Sequence, residues 1–331
     1  MSNAVADLYG RCRDDPDAHG RETTVYDAIH AKISPRSEVL RLLPHRERRM
    51  VGAWCFVDLY GPRPVTADGE AMHVPPHPHT GLQTVSWLVA GEVTHRDSLG
   101  TTVQVVPGQA AVMTAGEGIA HSEDVVPRAA GSEGVLHGAQ LWVALPESER
   151  HRQRDFVLHD PAPFVVADGF LAQVFVGSLG GVTAPAQAFT PLVGAELTPR
   201  GDGPGSLPLD PAYEHALVPL AGSATVEGIS VAHSQAMYLG VDRSALELEL
   251  TPDARVLLLG GETFAEEIVM WWNFVARTHD EVERARTQWN AGGDPRFGEV
   301  AEYPTDERLS APPLPNVRLQ PRGRVSARGT S

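Results

Sequence analysis

Apolar and polar positions in this chain alternate in short runs, and glycine or proline closes nearly every run. Glu38 to Pro62 reads as two strands joined by a charged turn, the second ending in Phe56-Val57-Asp58-Leu59-Tyr60 before Gly61-Pro62. Met72 to Pro76 leads into a histidine doublet. Further strands are predicted at 83–90, 93–96, 101–106, 110–114 and 136–145, and the turn at Gly116 to Gly118 delivers His121 and Glu123. Glu267 to Ala276 is apolar without a helical period and is expected to form one buried strand, with an aromatic binding platform as the sharper alternative. One helix is predicted over 279–290: Thr278 and Glu281 have capping-box spacing, Val282, Ala285 and Trp289 share a face, and Gly292-Gly293 stops it. The pattern is that of an all-β barrel or sandwich.

The pattern also repeats. Val85 to Gly91 lines up with Ala216 to Gly222, and Val106 to Ala110 with Ala232 to Ala236, which predicts two similar barrels in tandem with a short C-terminal helix. The expected parse is a flexible segment at 1–24, a first barrel at 25–150 ending in a charged linker, a second at 151–305 that includes the helix, and a Pro-, Arg- and Ser-rich disordered tail at 306–331. A chain of 331 residues is long enough for two such cores.

Composition narrows the function classes. The formal net charge of −15 opposes attraction to nucleic acid or to an anionic membrane surface, and the basic residues form no stripe with interleaved aromatics. No apolar run approaches the length of a membrane span, and the N-terminus is too acidic and polar for a signal peptide, so a cytoplasmic setting is expected. The two cysteines, Cys12 and Cys55, supply neither a disulfide framework nor a thiolate cluster, and nothing in their neighbours argues for a reactive thiol.

The chemistry concentrates in two doublets. In an extended strand alternate side chains share a face, so His77 and His79 point one way, as do His121 and Glu123. Brought together in a barrel, three imidazoles and one carboxylate suit a divalent transition metal and leave positions for substrate or dioxygen. A lone His-x-His arises by chance in a chain with 14 histidines, and hydrogen-bonded core histidines are the bland reading. Two doublets, each introduced by turn residues, weigh against it. The second half offers His215 and His233 singly, so its barrel is expected to carry no metal.

At His77-Pro78-His79-Thr80-Gly81 running into Gln83 to Leu88, at Met113 to Glu123, and at Leu141-Trp142-Val143 with Leu145-Pro146, the sequence resembles the pirin family of the cupin superfamily. The resemblance implies a bicupin, two double-stranded β-helix (jelly-roll) barrels. It also implies one iron site, in the first, ligated by residues matching His77, His79, His121 and Glu123. It further implies quercetin 2,3-dioxygenase activity in some members and roles as nuclear or transcriptional cofactors in others. Pirins commonly carry Glu where this chain has Gln83; in pirins the carboxylate ligand is the later one, so Glu123 keeps that function while the surrounding charge changes.

The expected protein is therefore an iron (II/III) dioxygenase acting on a quercetin-like flavonol or related enol, with dioxygen as cosubstrate and Glu123 leaving the metal to act as base. Zinc, manganese, nickel, copper or cobalt would also suit the ligands. His73, His95 and His137 could support the site or be structural. Three other readings share these residues. One is a redox-sensitive regulator that binds a protein partner, one a zinc-dependent isomerase, and one a metal-free scaffold.

Overall fold

A computed structural model describes residues 22–34, 37–46, 48–65, 72–125, 134–201, 203–303 and 307–324. Most of the N-terminal segment expected to be flexible lies outside these residues, Cys12 with it, as does the end of the tail from 325. The described chain folds as two barrels, each made of one large and one small antiparallel sheet. In the first, the large sheet runs Asp155–His159, Ala110–Thr114, Leu82–Ala90, Gly134–Ala144, Trp54–Val65, Ser37–Leu43, Ile29–Ser34, and the small sheet His73–His79, Ile119–Asp124, Val93–Asp97, Thr102–Val105. In the second, the large sheet runs Thr23–Asp27, Gln235–Leu239, Tyr213–Ala221, Arg255–Glu262, Leu192–Pro199, Phe170–Leu179, Phe164–Val166, with Val182–Thr183 paired onto Phe170–Leu179. Its small sheet runs Gly205–Pro208, Ala245–Leu250, Ser223–Val226, Ile229–Ala232. The two orders correspond strand for strand, and Leu82–Ala90 occupies the place of Tyr213–Ala221, as the sequence repeat predicts.

The large sheets pack face to face, which explains why their central strands are apolar on both sides. In Leu82–Ala90, Val85 and Trp87 enter the core between the barrels, while Leu88 enters the interior of the first. In Tyr213–Ala221, Ala216 and Val218 enter the shared core, and Leu217 the interior of the second. Trp54 reaches across this seam: its indole N–H lies 3.1 Å from the Val193 carbonyl and 3.2 Å from that of Gly260.

The structure differs from the sequence-based expectation at four places. The boundary at 150/151 is not where the sheets divide, because each barrel closes its edge with a strand from beyond it. Asp155–His159 pairs with Ala110–Thr114 in the first barrel, and Thr23–Asp27 with Gln235–Leu239 in the second. The strand from Trp54 runs on through Gly61-Pro62 to Val65, where the register shift between Leu136 and Gly138 opposite absorbs the interruption as a bulge. Val269–Trp271 and Phe274–Ala276 form a hairpin rather than one strand, with Trp272 taking a positive φ of 52° at its tip. Finally, residues 307–324 of the tail are ordered. The Leu309 N–H donates to the Pro76 carbonyl at 2.9 Å, Ile268 pairs with Arg322, and the Arg324 guanidinium meets the fully buried Glu214 carboxylate. A buried carboxylate needs such partners, and the tail provides one of them.

The helix forms at His279–Ala291 with Thr278 as its N-cap, and Val282, Ala285 and Trp289 are buried. Gly292, at φ 77°, caps the other end by donating to the Trp289 carbonyl. Helix and hairpin pack on the first barrel through a cluster that includes Ala120, Phe274, Trp289 and Phe297. Among the described residues no helix is long and apolar enough to cross a membrane.

Candidate metal centre

His77 and His79 lie at the inner end of His73–His79, and His121 lies directly opposite His77 on Ile119–Asp124. Alternation points both histidines of the first doublet inward, and antiparallel pairing brings His121 to them. The position is clamped from outside. Thr80 pairs with Phe274 of the hairpin, and the Val275 N–H donates to the Thr80 carbonyl at 3.0 Å. Gly81, at φ 69°, has no room for a side chain there, since a Cβ would stand 2.2 Å from the Val275 carbonyl oxygen.

One ring nitrogen from each of His77, His79 and His121 lies within 4.8 Å of the others. The rings are 4.3 Å apart for His77 and His121, and 5.0 Å for His79 with either. Nε2 of His79 and Nε2 of His121 are 3.1 Å apart. Two nitrogens each about 2.1 Å from one cation and so separated would subtend roughly a right angle, so the spacing fits shared coordination. His77 Nδ1 donates to the Pro75 carbonyl at 2.9 Å, which leaves its Nε2 lone pair free.

All three imidazoles are buried and are held neutral. Burial pushes His77 down to about 4, against the Pro75 carbonyl acting the other way. Burial followed by the neighbouring imidazoles holds His79 and His121 well below the ordinary histidine range. Neutral imidazole is the form that binds metal. Trp142 packs edge-on against His79 at 5.0 Å and stacks on Phe56 at 3.9 Å, fixing that ring from behind.

Glu123 stands two residues farther along the strand than His121, buried, but outside the set of three. Its Oε1 accepts from the Ser86 hydroxyl at 3.1 Å, and burial raises its carboxyl above the ordinary range despite His95 and Ser86. The register shift between His121 and Glu123 offsets it from the histidines. Behind His121 lies His95, and behind His95 lies Asp97, both buried. Sequence reasoning misses Asp97, although His95-x-Asp97 has the same alternate spacing as the two doublets. His73 is exposed and pairs with Asp124 at 2.7 Å; His137 is buried beside His233 at the other barrel, 6.5 Å away. Neither touches the three imidazoles. A second cluster, His279, Asp280 and Glu283, is committed elsewhere, with Asp280 paired to Arg318 and His279 Nδ1 accepting from the Leu319 N–H.

Gln83 is turned away from this centre. Its Nε2 donates to the Thr114 hydroxyl at 3.0 Å and to the Gln187 carbonyl at 3.1 Å, linking the barrels. A carboxylate there could not donate to a carbonyl. Gln83→Glu is therefore expected to destabilise the fold by about 1–3 kcal/mol, read as a lower urea midpoint with bound metal unchanged.

In the second barrel, the strands corresponding to those of the histidines carry Leu207, Leu246 and Leu248, all within its apolar core. Comparison with known proteins agrees with the two-barrel architecture. The family model Pirin matches residues 36–143, and the Pirin C-terminal cupin domain matches residues 196–298. A Pseudomonas aeruginosa protein named "Putative quercetin 2,3-dioxygenase" is 44% identical over 305 residues, 92% of this chain and 94% of its own. A pirin-like protein of Caulobacter vibrioides is 35% identical over 282 residues, 81% of this chain and 93% of its own. The crystal structure of a quercetin 2,3-dioxygenase from Acinetobacter baumannii superposes with a TM-score of 0.84 at 40% identity, covering 90% of this chain and 97% of that one. The fold is thus a pair of cupin domains.

Proposed function

The chain belongs to the pirin family of the cupin superfamily, and from that premise we propose that it is an iron-dependent dioxygenase acting on a quercetin-like flavonol or a related enol. The observation that carries this reading is the set of three buried imidazoles with nitrogens within 4.8 Å, in a chain similar over nearly its whole length to a solved quercetin 2,3-dioxygenase.

In this reading His77, His79 and His121 would hold the metal, and Glu123, buried on Ser86 beside them, would serve as a fourth donor. A bound iron ion would supply positive charge to stabilise an ionised substrate hydroxyl and a place for dioxygen. The chain's own residues do the rest. Three neutral imidazoles and a single carboxylate would leave a bound iron ion with net positive charge. Glu123, raised by burial and resting on Ser86, would take a proton from a substrate hydroxyl and hold it on its carboxylate. The three imidazoles and Trp142 beside them are buried, which keeps bulk water away.

The test is aerobic loss of quercetin absorbance by purified protein whose iron content is measured by elemental analysis. Oxygen-dependent turnover that scales with iron content is expected. Iron-loaded protein that turns over no flavonol would overturn the dioxygenase assignment, and protein that retains no transition metal would overturn the metal centre itself.

A further inference from the structure

His121 is engaged through both ring nitrogens: Nε2 faces His79, and Nδ1 lies 3.4 Å from Nδ1 of His95. Nε2 of His95 lies 3.1 Å from Oδ2 of Asp97, and Phe156 stacks on the His95 ring at 4.3 Å with 15° between the planes. The other oxygen of Asp97, Oδ1, accepts the N–H groups of Leu99 at 2.8 Å and Thr101 at 3.1 Å. Asp97 thus accepts at Oδ1, has its orientation set by backbone, and presents Oδ2 to His95.

For a singly protonated His95, the position of every proton in the row follows from that end. An ionised carboxylate only accepts, so His95 Nε2 carries the hydrogen. With one ring proton, His95 then offers a lone pair at Nδ1 and accepts from His121 Nδ1–H. Nε2 of His121 is left with its lone pair, on the side of His77 and His79. We propose that Asp97 and His95 are positioning residues that set the tautomer of His121, so that its Nε2 lone pair is always presented to a cation. This inference rests on the metal-centre reading above, and it adds a determinant of metal retention that touches no metal.

Asp97→Asn tests it by reversing the row. Because Oδ1 is held by two N–H groups, the amide nitrogen must take the place of Oδ2 and donate to His95 Nε2. His95 then donates from Nδ1, and His121 turns a hydrogen toward the site. Zinc affinity, measured by competition with a chromogenic chelator, is expected to fall about 10- to 100-fold. His95→Gln keeps the order, since its amide oxygen can accept from His121 and its nitrogen donate to Asp97, and it should bind zinc close to wild type. His95→Leu should lose affinity as Asp97→Asn does. In ¹⁵N-histidine NMR of the zinc-loaded wild type, His121 should appear protonated at Nδ1 and His95 at Nε2.

Asp97→Asn protein that binds zinc as tightly as wild type would overturn the proposal, as would the opposite tautomers in the NMR spectrum. Should Asp97→Asn not fold, the Gln and Leu variants of His95 decide, and equal affinity in those two would overturn it. Wild-type protein that binds no zinc would instead remove the metal-centre reading, and this inference with it.

Discussion

Replacing His121 by alanine is expected to lower metal affinity by more than about 100-fold, beyond the range typical of losing a partner behind a ligand. The reason is geometric. His77 and His79 come from one strand, and His121 is the contribution of the neighbouring strand that closes the set. Without it only two imidazoles of the set remain beside the Glu123 carboxylate on Ser86, and His95 loses the ring it faces. His73→Ala is the matched control, since His73 is on the same strand as the first doublet but is exposed and paired with Asp124. Elemental analysis after dialysis should show metal retained by His73→Ala and lost by His121→Ala, with both variants folded by circular dichroism. Loss of quercetin turnover should follow the metal and not the mutation as such. Equal metal content in the two variants would show that the three imidazoles do not share an ion.

The parts of this centre visible in the sequence are those fixed by local geometry. The inward direction of His77 and His79 follows from strand alternation, the helix at His279–Ala291 from a cap and a stop within the segment itself, and the repeat from the spacing of its turns. What escapes depends on pairing between distant segments. The row from His121 through His95 to Asp97 exists because Val93–Asp97 lies beside Ile119–Asp124, with His121 opposite Asp97, and no local pattern gives that register. The hairpin at 269–276 lacks the Asn-Gly or Gly-rich signal of a tight turn. It puts a tryptophan at positive φ instead, a choice supported by packing among Trp271, Phe274 and Phe297. The exchanged edge strands belong to the same class: composition marks a linker, whereas docking of the barrels decides which edge it covers. Glu123 lies between the two cases. Its face is legible, but the register shift beside His121 and the hydroxyl of Ser86 that holds it are not.

Trp54→Ala is expected to be the most destabilising substitution at the seam, by about 3–5 kcal/mol, the range for removing a buried large aromatic side chain. Trp54 belongs to the first barrel, yet its indole N–H points to carbonyls of two strands of the second and its ring meets Phe175 edge-on at 6.3 Å. The second barrel is shaped to receive it at Gly194, where a Cβ would stand 2.9 Å from the Trp54 ring and 2.4 Å from that of Phe175. Gly194→Ala should therefore overpack the seam by about 1–3 kcal/mol. The two changes should not add: with Trp54 gone, the methyl group introduced by Gly194→Ala loses one of its two collisions and fills part of the hole. Urea denaturation of both single variants and the double variant would measure this, with the double less destabilised than the sum. Strict additivity would mean that Trp54 does not lock the barrels through Gly194. Because the three histidines sit in the small sheet on the far side of the first barrel, the weakened protein should still bind metal below its melting temperature. Holo protein would then melt above apo in the Trp54→Ala background as well, since a ligand that binds only the folded state stabilises whatever fold remains.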